Sequence, residues 1–435
     1  MTVSIHTLGC KLNQTESETL AVVFRERGYE IIPENQKPNI VVVNTCTVTS
    51  MAEQKARGII RNAAKNAACV LVCGCYARLD SEKIERLGDN VFAVDFKNRS
   101  TVFAEIEKRL QRLVPNFQPP TPNPQPPTPL SLHSRAFLKI QDGCDKSCAY
   151  CRVRLARGSS VSVNAREALG RLRLFEKAGY AEAVLTGVNL NLYQDGERDL
   201  AGLLKLFIKE TEGIRLRLSS LEPEAVTSAL ADVLAHRRIR PHFHLSVQSG
   251  SDSVLRRMRR PYTAELVEEK AMLLRRVKDD PFLACDVIAG FPGETEADFE
   301  RTYELCVSVG FAWIHAFPFS PRPGTEAFDL SGRVNDREII RRVSRLTELA
   351  RTGRRVYVNR CLERGGVIEA VVESHRGSLP ENCVAAVSEN YLKLLVHLPR
   401  GETYARGSLL SVRLTAPSIA PFDAEGQVTG SSEQR

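Results

Sequence analysis

No stretch of this sequence is apolar for long enough to cross a bilayer. The longest runs, such as Ile40–Val43 and Cys69–Cys73, fall far short of the roughly 20 residues a spanning helix needs. The segment from Met1 to Lys11 has neither a basic cluster nor a long apolar stretch, so no secretory signal is expected. A cytoplasmic location without a membrane partner follows as the expectation. Nor does one sign of charge dominate: 60 Lys and Arg are mixed with 52 Asp and Glu, for a formal net charge of +8. That balance suits an anionic partner such as nucleic acid, and it suits a basic enzyme equally well. With 43% hydrophobic and 26% charged residues the chain is globular in class, and 435 residues call for two or three units, each with its own core.

The order of local signals divides the chain. Val3–Leu8, Ile40–Asn44, Val70–Val72 and Val91–Val94 read as short buried strands, with helices over Thr15–Arg27, Met51–Ala67 and Ser81–Leu87 between them. This alternation predicts an α/β domain over 1–112 with a parallel sheet. Eight prolines between Pro115 and Pro129 can continue neither helix nor sheet and mark an extended linker over 113–132. Six strand–helix units follow in 133–356, with strands expected at Phe137–Ile140, Ala183–Leu185, Arg215–Ser219, Phe243–Val247, Ala284–Ile288 and Ile314–Phe317. They suggest a partial (β/α)6 barrel whose site lies on loops at the strand C-termini. Short β-type runs at Gly366–Glu373, Tyr391–His397 and Leu409–Leu414 predict a small all-β domain over 357–418. The Gly-, Ser- and Gln-containing end, 419–435, is expected to be disordered.

Twelve cysteines in a reducing compartment are read as ligands where they cluster and as small buried side chains where they stand alone. Cys285, Cys306, Cys361 and Cys383 stand alone. Cys144, Cys148 and Cys151 form a C-x3-C-x2-C motif directly after the first barrel strand. No fourth Cys or His lies nearby, which disfavours a closed zinc site and suits a 4Fe–4S cluster with one iron left open. Three further cysteines each follow a strand of the first domain: Cys10 after Leu8-Gly9, Cys46 after Asn44-Thr45, and Cys75 after Gly74. Strand C-termini of a parallel sheet share one edge, so these residues are expected to converge on a second three-thiolate site. Cys73 competes with Cys75, but it belongs to the strand itself, whereas Cys75 lies in the loop. Cys69 lies at the wrong end of the strand.

The C-x3-C-x2-C spacing after the first barrel strand resembles the radical S-adenosylmethionine (SAM) superfamily. The whole chain resembles its methylthiotransferase family, through Thr7-Leu8-Gly9-Cys10-Lys11-Leu12-Asn13-Gln14, Asn44-Thr45-Cys46-Thr47-Val48-Thr49 and Gly74-Cys75-Tyr76-Ala77. In the barrel the resemblance rests on Leu185-Thr186-Gly187-Val188-Asn189, Ser219-Ser220-Leu221-Glu222-Pro223, Gln248-Ser249-Gly250-Ser251-Asp252 and Asp286 to Thr295. Within the family, the Thr-Leu-Gly-Cys-Lys, Cys-Thr-Val-Thr and Leu-Thr-Gly-Val-Asn segments look most like the threonylcarbamoyladenosine tRNA methylthiotransferases. The small β domain resembles a TRAM domain, most clearly at Ser388-Glu389-Asn390-Tyr391.

The resemblance implies two 4Fe–4S clusters, held by Cys144, Cys148 and Cys151 and by Cys10, Cys46 and Cys75, and SAM as the radical source. It implies a tRNA anticodon stem-loop as partner, with a reducing electron donor and a sulfur source. For SAM it points to Tyr150 beside the adenine, Thr186 and Gly187 at the methionine end, and Gln248, Ser249 and Gly290 to Glu294 near the ribose and adenine. Each of these is also explicable as a strand-ending turn. Of His242 and His244, one is expected to face the barrel, with a packed histidine the default. Arg376, Tyr391, Lys393 and Arg400, with the runs Arg256–Arg260 and Arg337–Arg355, are candidates for phosphate and base contacts or simply a solvated face. Two departures from the family pattern stand out: Arg152-Val153-Arg154-Leu155, where apolar residues and proline are usual, and Ser246 in place of a proline. Two rival readings are the same chemistry on isopentenyladenosine or a ribosomal protein, and a non-catalytic iron–sulfur RNA-binding redox sensor.

Overall fold

The computed structural model describes residues 1–96, 99–113, 118–121, 133–375 and 377–431. Most of the expected linker, together with Arg376 and residues 432–435, lies outside the described residues. The chain forms two compact units. One comprises Met1–Leu132 with Asp142–Ser160 and Ser320–Phe328, the other His133–Gln141, Val161–Phe319 and Asp329–Arg435.

The first unit is built on a parallel sheet of β1 (Thr2–Thr7), β2 (Glu30–Ile31), β3 (Ile40–Thr45), β4 (Cys69–Gly74) and β5 (Val91–Ala93), in the order β2-β1-β3-β4-β5. Every residue of β3 and β4 is buried, as central strands covered on both faces require. Phe24, Phe103, Ile106 and Leu110 pack on one face; Ala56, Ile60, Ala63 and Tyr76 pack on the other. The register aligns Thr7 with Asn44 and Thr45 with Gly74. The C-terminal ends of β1, β3 and β4 therefore stand level.

In the second unit, β6 (Ala136–Lys139), β9 (Glu182–Thr186) and β10 (Arg215–Leu218) form one parallel sheet. A second contains β11 (Ser220–Leu221), β12 (His242–Gln248), β13 (Phe282–Ala289) and β14 (Trp313–Pro318). The two-residue strands β7 (Gln141–Asp142) and β8 (Val161–Ser162) fall between β6 and β9 in the chain. Since β11 follows β10 after one residue, the row continues as the partial barrel expected from the alternation. Alternate residues of β12 and β13 (Phe243, Leu245 and Val247; Leu283, Cys285, Val287 and Ala289) join the apolar layer under the helices. Cys285 and Cys306 are among these buried core residues.

A closed five-stranded barrel completes this unit: β15 (Val367–Glu373), β16 (Cys383–Ser388), β17 (Lys393–His397), β18 (Leu409–Pro417) and β19 (Ala424–Ser431), in the order β15-β16-β17-β19-β18. The expectation of a disordered end over 419–435 is corrected for 424–431 by β19, which pairs with both β17 and β18, while 432–435 lie outside the described residues. Its largely polar composition hides a closing strand: the backbone ladder on both sides holds it, and only Ala424 and Val428 add apolar contacts to the barrel core. Gly426 shows why small residues occur there: a Cβ would stand 2.5 Å from Val412 Cγ1 and 2.9 Å from the Arg413 carbonyl oxygen.

A buried ionic network ties the two barrels of this unit together. Glu182, at the start of β9, is wholly buried and accepts from Arg217 at 2.6 and 2.9 Å and from Arg240 at 2.8 Å. Arg217 also donates to the Ser388 carbonyl at 3.1 Å, and Arg240 to Glu369 at 2.6 Å. Burial alone would raise the Glu182 pKa; Arg217, Arg240 and Arg135 outweigh it and hold the carboxyl far below its usual range. Tyr391, one of the candidates for a phosphate or base contact, packs its ring 4.4 Å from that of His242, with the Arg217 guanidinium 5.1 Å away. Among the described residues no helix is long and apolar enough to cross a membrane.

Candidate iron–sulfur site

Each of Cys10, Cys46 and Cys75 lies where a level strand turns into a helix. Cys10 precedes the helix Lys11–Glu26, Cys46 lies between β3 and the helix Ser50–Asn66, and Cys75 opens the helix Cys75–Leu79. Glycine makes two of these turns possible. Gly74 has φ +87°, and a Cβ there would stand 2.4 Å from both Asn44 Oδ1 and the Thr45 carbonyl oxygen. Gly9 has φ +108°, and a Cβ would come within 2.7 Å of Cys46 Cβ and 3.2 Å of its sulfur. Such backbone suits only glycine, and the Cys10 loop thereby lies directly on Cys46.

The three thiols feel one another. Burial pushes the Cys46 thiol up to about 11, and Cys10 and Cys75 add like-charge repulsion. Burial also raises Cys75, against the lowering influence of Arg157. Cys10 is exposed while Cys46 and Cys75 are buried, so the trio has one open side. Cys73 points away: it belongs to the apolar cluster with Phe24 and Phe103, and burial raises its thiol strongly. Cys69 is buried in the same cluster, with its thiol raised to about 12 by burial.

Asn13 knits the trio together. Its amide donates to the Leu8 carbonyl at 2.9 Å, the Thr45 carbonyl at 3.0 Å and Asn44 Oδ1 at 3.2 Å. Its Oδ1 accepts from the Cys10 thiol at 3.5 Å and from Arg157 at 3.0 Å. Loops 31 residues apart in sequence are thus held by one side chain.

Cys144, Cys148 and Cys151 are half-buried on a single loop of the same compact unit. The Cys151 N–H donates to the Cys148 carbonyl at 3.0 Å, and the Cys144 N–H to the Gly158 carbonyl at 3.1 Å. Gly143, with φ +67°, approaches the Ser159 carbonyl so closely that a Cβ would overlap it at 1.9 Å. Among the described residues no three His, Cys, Asp or Glu side chains stand close enough to enclose a single metal ion. Thiolates that each take a different iron of a cubane stand farther apart than ligands of one ion, and two all-thiol trios suit that group by donor type.

The segment after Cys151, unusual at the sequence level, is explained by its ion pairs. Arg152 is buried and donates to Glu53 and to Asp80, each at 3.1 Å. Glu53 also accepts from Thr47 at 2.5 Å and from the buried Arg322. Arg157 is buried too. Its guanidinium bonds Glu16 at 2.7 and 3.1 Å, Asp142 at 3.0 Å and Cys75 Sγ at 3.1 Å. None of Asn13, Glu53, Arg152, Arg157 and Arg322 was singled out as a site residue from sequence. The available signal was charge adjacent to cysteine motifs in segments that otherwise read as turns.

The expected SAM residues fall at the C-terminal ends of barrel strands. Thr186 ends β9, and its carbonyl accepts from the Ile140 N–H at 3.0 Å. Gly187 lies against Gln141, whose Oε1 takes the Asn189 N–H at 2.9 Å. Gln248 ends β12 with φ +66°, and the Ser249 hydroxyl lies 3.2 Å from that of Thr302. Gly290 donates to Glu294 Oε2 at 2.6 Å, and Arg342 pairs with the same oxygen at 2.8 Å. Ser249 and Glu294 thus hold turns within the fold. Tyr150 is half-buried on the cysteine loop. Ser246, in place of a proline, offers its carbonyl to the Tyr262 hydroxyl at 2.6 Å. His244 bonds the Ser220 hydroxyl at 2.8 Å and faces Asp286 at 3.2 Å, while His242 is packed against Tyr391.

Comparison with known proteins agrees with this architecture. Residues 2–94 match the uncharacterized protein family UPF0004, and residues 138–306 match the radical SAM superfamily. The chain is 39% identical to the threonylcarbamoyladenosine tRNA methylthiotransferase MtaB of Treponema pallidum (strain Nichols), over 95% of this chain and 98% of that one. It is 32% identical to the MtaB of Bacillus subtilis (strain 168), over 98% and 96%. Among solved structures, the radical S-adenosylmethionine methyltransferase TsrM of Kitasatospora setae shares the fold, with a TM-score of 0.54, 14% identity and coverage of 75% and 73%. The radical SAM match brings with it a 4Fe–4S cluster and SAM as cofactors. The chain therefore belongs to the radical SAM methylthiotransferase family, in its threonylcarbamoyladenosine tRNA branch.

Proposed function

We propose that this protein converts N6-threonylcarbamoyladenosine, 3′ of the anticodon in tRNA, to its 2-methylthio derivative, using two 4Fe–4S clusters and two SAM per turnover in the cytoplasm. The observation that carries this reading is the presence of two separate cysteine trios in a chain 39% identical over 95% of its length to a tRNA methylthiotransferase. The adenine C2–H bond is unactivated, and no side-chain acid or base is strong enough to open it. A cluster with one open iron, held there, would supply the coordination site for SAM and the one-electron reduction of its sulfonium, the chemistry from which a radical able to act on this bond would come.

The chain's own residues hold and shield. Cys144, Cys148 and Cys151 would take the cluster that meets SAM; Cys10, Cys46 and Cys75 would take the one that carries sulfur. Asn13 and the Glu53 carboxylate keep the loops of these cysteines in place. Exposed Lys393 and Arg400 suit phosphate contacts with the anticodon stem-loop. The arginines of Arg337–Arg355 are less available, since Arg341, Arg342 and Arg345 pair with Glu296, Glu300 and Glu338. An electron donor and a sulfur source complete the set of partners.

Nucleoside mass spectrometry of tRNA from a deletion strain tests the reading. The 2-methylthio nucleoside should vanish and N6-threonylcarbamoyladenosine accumulate. Loss of the methylthio group from isopentenyladenosine instead would move the chain to another substrate.

A further inference from the structure

Arg157, the last residue of the short helix Val153–Arg157 that follows the Cys144–Cys151 loop, reaches a sulfur of the other trio. Its Nε lies 3.1 Å from Cys75 Sγ. Its two terminal nitrogens are saturated by Glu16, Asp142 and Asn13, at 2.7 to 3.1 Å. The side chain is 2% exposed, so water does not compete for the Nε–H. Two carboxylates largely balance the guanidinium charge, and four of its N–H bonds are committed to oxygen. What remains directed at sulfur is one fixed N–H dipole. A lysine in the same place would carry the charge without that fork.

We propose that Arg157 is a positioning residue that tunes the cluster held by Cys10, Cys46 and Cys75, donating an N–H···S hydrogen bond that raises its reduction potential. The inference rests on the two-cluster reading above. Hydrogen bonds to ligand sulfurs are among the protein's levers on iron–sulfur potentials, because a donor stabilises the more electron-rich, reduced state. Glu16 and Asp142 aim the donor, and Asn13 links it to the Cys10 thiol through the shared Oδ1. The residue that sets this potential therefore belongs to the helix that follows the loop of the other trio. Such placement lets the two loops be assembled and poised together.

The test uses full-length protein carrying Cys144, Cys148 and Cys151→Ala, which leaves one trio. Iron and sulfide are counted, and the midpoint potential is read by titration monitored by electron paramagnetic resonance. Adding Arg157→Gln should shift the reduced-to-oxidised ratio about tenfold toward oxidised at fixed potential, equivalent to about 59 mV more negative for a one-electron couple. Arg157→Lys, which keeps the charge toward Glu16 and Asp142, should shift in the same direction, and it serves as the measurement if the Gln variant does not fold. A four-iron cluster at the parent's potential in the variants overturns the inference alone. A parent that binds no cluster overturns the two-cluster reading, and the inference with it.

Discussion

Arg152, the residue directly after Cys151, donates to the carboxylate of Glu53 across 3.1 Å, and that carboxylate also accepts from Thr47, the residue directly after Cys46. One buried acid thus braces a loop from each cysteine trio. With Arg322 on the same oxygen, Glu53 serves two buried cations. Removing it takes a counter-charge from both and leaves Arg152 with Asp80 alone, a loss of roughly 3–5 kcal/mol. Glu53→Ala should lower the thermal midpoint of the anaerobically reconstituted protein and reduce iron in both sites together. Iron loss confined to one trio would contradict the bracing role.

Cys73 and Cys75 make a discriminating pair. Cys75→Ala should remove the iron bound by the Cys10 trio while leaving that of the Cys144 loop. Cys73→Ala, in the apolar cluster beside Phe24 and Phe103, should keep the full iron count and cost roughly 1 kcal/mol for its small cavity. The reverse pattern of iron retention would assign the ligand to the strand.

Gly74→Ala tests the turn that delivers Cys75. Its φ of +87° and the 2.4 Å approach of a Cβ to Asn44 Oδ1 and the Thr45 carbonyl oxygen leave no room for a methyl group. The expected destabilisation exceeds about 1 kcal/mol, with loss of iron from the Cys10, Cys46 and Cys75 trio. Retention of wild-type iron and stability would show that the loop can turn another way.

Glu182 predicts a pH dependence. Burial opposes its ionisation, but Arg217, Arg240 and Arg135 prevail and depress its folded pKa. A depressed carboxyl contributes stability fully above its unfolded pKa of about 4.3 and loses it as pH falls through the folded value. Glu182→Gln should therefore be less stable by roughly 3–5 kcal/mol at pH 7. The gap to wild type should stay level down to about pH 5 and narrow in stronger acid. Urea unfolding followed at Trp313, the single tryptophan and part of β14 in the same unit, gives the readout. A gap that widens on acidification would refute the assignment.

Much of this molecule was legible before any coordinates. The alternation of β-branched runs with amphipathic stretches specified the parallel sheets of both units, because such patterns follow from which face each element buries. The C-x3-C-x2-C loop and the three cysteines after strands were legible for a related reason. Candidate ligands on one loop are read from spacing, and candidates at strand ends from topology. The closing strand Ala424–Ser431 was not legible, since its partners are backbone groups of β17 and β18 and its composition is that of a loop. The inward packing of Tyr391 was hidden likewise, because an aromatic ring beside basic residues reads the same whether it meets a base or His242.

Sequence alone determined the fold class, the two cysteine trios and the family, since these depend on periodicity, spacing and local motif, which the chain carries residue by residue. Only the tertiary structure decided that Arg157 reaches Cys75, that Glu53 joins the Arg152 and Thr47 segments, and that Glu182 holds two barrels. Those are partnerships of buried arginines with residues 35 to 99 positions away. A buried charge takes whichever counter-charge the fold brings within about 3 Å, and no local pattern encodes which one that is.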